Sequence, residues 1–121
     1  MDASEFPGVN AEQLKDRTKK FSLDIIRFFQ ALPKTPEAQV MGRQLLRAAT
    51  SVAANYRAAC RARSKAEFIA KISIVVEESD EALLWLELIR DAKIAVVDEN
   101  LIHESEVLMK IMAASRKTAR D

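Results

Sequence analysis

Four arginines, Arg43, Arg47, Arg57 and Arg61, recur along one stretch of the chain at helical spacing. At about 100° per residue they fall within a stripe roughly 80° wide, in two pairs on either side of a small-residue patch at Thr50 and Ala54. A planar guanidinium donates two parallel hydrogen bonds, which suits phosphate, so such a stripe is able to track a nucleic-acid backbone. It suits carboxylates equally. Glu67, Glu77, Glu78, Asp80 and Glu81 supply an acidic set, so ion pairs within or between subunits are the competing outcome.

The other reactive groups do not assemble into a catalyst. A di-iron bundle needs two Glu-x-x-His units, and this chain has one histidine, His103, with Asn100 three residues before it. No metal site and no cofactor are expected. Cys60 has Arg57 and Arg61 as basic neighbours, the setting of a reactive thiol. It projects near the core side of its helix, however, and no histidine is positioned to take its proton, so a structural, reduced thiol is the reading. Gly8 and Gly42 are isolated, which leaves no phosphate-binding loop, and Ser51 and Asn55 are placed to hydrogen-bond within or across helices. Neither an enzyme nor a small-molecule substrate is expected.

The elements that carry these residues are helices. In 121 residues there are only 2 glycines and 3 prolines, 6% aromatics and 49% hydrophobic residues, a balance that fits long helices in a single domain. Residues 1–10, with Pro7 and Gly8 and no periodicity, read as a flexible tail. Asn10 and Gln13 form a capping-box pattern ahead of Leu14, Phe21, Ile25, Phe28 and Leu32, which predicts a first helix over 11–31. Pro33 ends it, and Thr35 with Pro36 starts a second over 36–62. Ser64 and Glu67 form a further capping box and open a third over 64–93 with almost no loop. Asp98 caps a fourth over 98–118, in which Leu101, Ile102, Leu108, Met109 and Met112 face inward. Four helices with short connections predict an all-α, antiparallel up-down-up-down four-helix bundle over residues 11–121.

Two faces remain to be covered. Met41, Leu45, Ala48, Ala49, Val52, Tyr56, Ala59 and Cys60 form the core side of helix two, opposite the arginines. Helix three has a core face in Phe68, Ile72, Val75, Val76, Leu83, Leu86 and Ile89, yet Ile74, Trp85 and Leu88 project elsewhere, near Glu78 and Glu81. Apolar groups on two sides of a helix imply a second covering, and these five residues are the candidate interface of a homo-oligomer; the alternative is that Trp85 packs under its own chain. Charge also separates by helix. Residues 34–63 carry six basic groups and one acidic, residues 64–93 four basic and seven acidic, within a net charge of +1. No apolar stretch approaches the roughly 20 residues that span a bilayer and no secretory leader is recognisable, so the expected location is cytoplasmic, without a membrane partner.

Between Leu45 and Phe68, the residues Arg47, Ala48, Ser51, Val52 and Asn55, then Arg61, Arg63, Ser64, Glu67 and Phe68, correspond to a pattern that reads roughly R-R-A-x-x-S-[IV]-x-x-N, then basic residues, then R-S-x-x-E-F. That segment resembles the bacterial S23 family, small proteins some of which are encoded by intervening sequences inside 23S ribosomal RNA genes. The resemblance in helix pattern runs from about Leu14 to about Ala114. It implies an antiparallel four-helix bundle that assembles as a ring, commonly a homopentamer, with no established enzymatic activity. A related branch resembles the accessory variability proteins of diversity-generating retroelements, basic barrels that bind a reverse transcriptase and nucleic acid. Many members have Ile-Ala-Glu-Gly after the asparagine, where this chain has Tyr56, Arg57, Ala58 and Ala59, and the near-neutral charge here differs from the basic barrels. The expected function is a non-enzymatic, ring-forming scaffold for a macromolecular partner; the alternative is RNA binding through Arg43, Arg47, Arg57 and Arg61.

Overall fold

A computed structural model of the protein describes residues 10–121. Four helices follow one another, α1 Ala11–Gln30, α2 Pro36–Cys60, α3 Lys65–Asp91 and α4 Glu99–Arg120. Their ends lie within two residues of those predicted. The tail expected over residues 1–10 lies outside the described residues except for Asn10, which caps α1.

Local chemistry sets the helix starts. The Asn10 side chain accepts from the Gln13 backbone N–H at 2.9 Å, and the Gln13 side chain accepts from the Asn10 N–H at 3.0 Å, a complete capping box. At α3, Ser64 accepts from the Glu67 N–H at 3.0 Å, but the Glu67 carboxylate accepts from Arg63 at 3.3 Å rather than from Ser64, so the expected box is only half made. At α2 the Thr35 side chain makes no capping bond. Pro36 fixes the first turn there, and the Gln39 amide donates to the Pro33 carbonyl at 2.9 Å. Asp98 accepts from the Asn100 N–H at 2.9 Å and so caps α4. α3 ends in a Schellman turn, with Lys93 donating to Arg90 and Ile94 to Ile89 across a left-handed Lys93 (φ 58°).

The helices form an antiparallel up-down-up-down four-helix bundle. Each packs on its neighbour in the chain, α1 and α4 close the circuit through a lighter contact, and diagonal helices do not approach. As α1 runs from Ser22 to Phe29, its partners on α2 run back from Ala49 to Gly42. The Ser22 hydroxyl reaches the Ala49 carbonyl at 3.1 Å, and a Cβ at Gly42 would stand 2.8 Å from Phe29 Cδ1 and 2.6 Å from Leu32 Cδ1. Only glycine permits that close a crossing without displacing both side chains. Buried Ala48, Ala49 and Ala59 continue the small-residue surface of α2, against which its larger neighbours fit. The core joins Phe21, Ile25, Leu45, Tyr56, Ile72, Leu86, Leu108 and Ile111 in one cluster.

Tyr56, the one tyrosine of the chain, lies fully buried in that cluster. Burial, and then a hydrogen bond with the Cys60 side chain, push its phenol above the ordinary value of about 10. Folding thus favours the neutral phenol, so this contribution to stability is whole below about pH 10 and is lost as pH rises further. In an alkaline titration, tyrosinate absorbance should appear only together with the loss of helical circular dichroism. Tyrosinate forming near pH 10 in a still-helical protein would contradict the burial.

Candidate macromolecular interfaces on the second and third helices

On α2 the four arginines of the sequence pattern are all exposed, as are Thr50 and Ala54 between them. They do not share one environment. Arg47 turns across to α3, where its guanidinium donates to Glu78 at 2.7 Å and 3.5 Å and also to Glu81. Among the described residues, Arg43, Arg57 and Arg61 have no ion-pair partner. The stripe therefore presents three uncommitted cations instead of four. Arg57 also walls a shallow groove of about 570 Å³ between α1 and α2, whose α2 side is Thr50, Ala53 and Ala54.

On α3, Val75, Ala82 and Leu86 enter the core while Ile74, Leu84 and Leu88 remain 38%, 48% and 40% exposed on the far side. A 27-residue helix thus carries apolar side chains around most of its circumference. Glu78 and Glu81, expected to border this strip, are the pair that Arg47 engages. Glu77 and Asp80 are exposed, with no ion-pair partner among the described residues. Trp85 does not project as far as Ile74 and Leu88. It is half-buried against the core, and its indole N–H is covered without finding an acceptor among the described residues. Leu84 takes the outward position beside Leu88, a residue that sequence reasoning missed. Its 40° offset from Leu88 on a helical wheel was the available signal.

Another groove, about 820 Å³ along the light α1–α4 contact, has Phe21, Phe28 and Leu101 in its walls and paired charges across it. Arg17 crosses it to Glu104 through two 2.7 Å hydrogen bonds, which hold the Arg17 guanidinium above its ordinary pKa, and Lys20 meets Asp24 at 2.7 Å. Asn55 turns back to Ser51 on its own helix, at 3.0 Å to the carbonyl and 2.9 Å to the hydroxyl. Among the described residues no three His, Cys, Asp or Glu side chains stand together as metal ligands would. The outer face of α2 is cationic, and that of α3 is apolar with acidic flanks.

The profile of the 23S rRNA-intervening sequence protein family matches residues 12–114. Among solved structures, the chain is similar to a protein of unknown function from the S23 ribosomal protein family of Bacteroides thetaiotaomicron VPI-5482, at 30% identity and a TM-score of 0.81 over 88% of this chain and 97% of that one. No curated protein matches the sequence.

Arg47 is half exposed, so its bridge to two carboxylates is worth at most about 1 kcal/mol, and salt weakens it. Arg47→Ala should lower the urea-unfolding free energy by about that much at low ionic strength and by less at high salt, whereas Arg43→Ala should leave it within about 0.5 kcal/mol. Equal losses from the two variants would mean that the bridge contributes nothing particular.

Proposed function

The chain belongs to the 23S rRNA-intervening sequence protein family, and from that premise we propose that it is a non-enzymatic, cytoplasmic, homo-oligomeric scaffold, a ring of copies that presents a surface to a macromolecular partner. The observation that carries the reading is the outer strip of α3, where Ile74, Leu84 and Leu88 stay open to solvent although the opposite side of the same helix is fully packed. Exposed apolar residues lined up along one face of a helix in a small protein suggest an association site. Copies of one chain satisfy it most economically, because each copy brings both the strip and a surface to cover it. Five copies is the number implied by the family resemblance. No helix among the described residues is long and apolar enough to cross a membrane.

Light scattering tests this directly. The wild-type protein should have a mass several times the 13.6 kDa of one chain, and Ile74→Glu with Leu88→Glu should reduce it to 13.6 kDa while the helical signal remains. A concentration-independent mass of 13.6 kDa for the wild type would remove the proposal.

A second reading starts from Arg43, Arg57 and Arg61, whose uncommitted guanidiniums fit the phosphates of structured RNA. Each phosphate contact adds about one unit to the salt dependence of binding. On this reading, changing the three to glutamine weakens RNA binding at low salt and flattens its salt dependence by about three units. Equal binding by wild type and variant would exclude it.

A further inference from the structure

We infer, on the basis of the assembly reading above, that the outer strip of α3 in one copy docks on the arginine-bearing outer face of α2 in the next. The alternative of α3 against α3 is opposed by charge. It would bring Glu77 and Asp80, exposed and without ion-pair partners among the described residues, close to their own counterparts; like charges across an interface oppose association. The outer face of α2 has the opposite sign and the complementary shape. Arg43 and Arg57 flank small Thr50 and Ala54, which leave room for the larger side chains of α3, beside a shallow groove whose α1 wall carries Glu12, Lys15, Asp16 and Lys19.

Dimensions and directions agree. The apolar strip from Ile74 to Leu88 and the patch from Arg43 to Arg57 each cover fifteen residues, about 21 Å of helix end to end. α2 and α3 are adjacent in the bundle, so their outer faces point roughly a quarter turn apart. A head-to-tail contact between two such faces rotates each copy relative to the last, and the chain of contacts can close into a ring; faces on diagonal helices would point in opposite directions and favour an open filament. Other outer faces offer less. On α4 the exposed positions are polar, among them His103, Lys110 and Lys117, and α1 exposes one large apolar residue, Leu23, on the helix diagonal to α3.

Charge reversal on each face tests the pairing. Arg43→Glu, Arg57→Glu and Arg61→Glu together should drop the light-scattering mass to 13.6 kDa, as should Glu77→Lys with Asp80→Lys, and all five in one chain should restore the assembled mass. These positions are exposed, so each variant should keep its helical circular dichroism. In a Cys60→Ser background, a mixture of Ala54→Cys and Leu84→Cys chains should form disulfide-linked pairs, with neither chain linking to itself. Self-linking of Leu84→Cys, or a five-fold variant that stays at 13.6 kDa, overturns the inference. So does an arginine reversal that leaves the mass unchanged. If Ile74→Glu with Leu88→Glu still yields single chains in that case, the assembly reading stands and the covering face lies elsewhere; loss of RNA binding at unchanged mass would assign the arginines to nucleic acid.

Discussion

A helix flanked by two neighbours can bury only part of its circumference, and α3 carries apolar residues over more than that part. It packs on α2 along one flank and on α4 along the other, and those contacts take up Ile72, Val75, Ala82, Leu86 and Ile89. Ile74, Leu84 and Leu88 remain outside. Burying a leucine or isoleucine side chain is worth about 1.5–3 kcal/mol, so three partly exposed ones leave an appreciable driving force unused by the single chain. The rest of the architecture is consistent with preserving that strip. The bundle closes without it, and the acidic groups beside it keep the surface wetted.

Arg47 joins the two faces. It reaches from α2 to Glu78 and Glu81 on α3, linking the most extensively packed helix pair and balancing one of the two negative charges nearest the apolar strip. The acidic character left on α3 then comes from Glu77, Asp80 and Glu87, with one further charge from the Glu78–Glu81 pair, and the basic character left on α2 and its C-cap from Arg43, Arg57 and Arg61. The charge separation between the second and third quarters of the sequence is therefore only partly cancelled within the chain. A surplus of each sign remains on adjacent faces, the arrangement that a head-to-tail contact requires.

Most of the architecture was legible because it is written in local signals. Asn10 with Gln13, Ser64 and Asp98 mark helix starts by accepting from first-turn backbone donors, and Pro36 marks one by its missing N–H and fixed φ, all within four residues. Non-local features were harder to see. Helical spacing placed the arginines on one stripe but could not say that Arg47 alone lies within reach of α3. The left-handed turn at Lys93 was silent because glycine, its usual occupant, is absent, and the turn is held instead by the Schellman bonds and by Ile94 packing on the core. Trp85 sits at the border between core and outer face, so a wheel assigns it to either, and tertiary packing drew it inward. Leu84 is the immediate neighbour of Trp85 in the chain, and it faces solvent because the tryptophan turns toward the core.

The central claim is that α3 is sheltered on its outer side only when copies meet. The most direct measurement is the thiol-labelling rate of Leu88→Cys in a Cys60→Ser chain over a wide range of protein concentration. The account predicts slow labelling in concentrated solution that accelerates on dilution as copies separate. A fast rate that is the same at every concentration would contradict it.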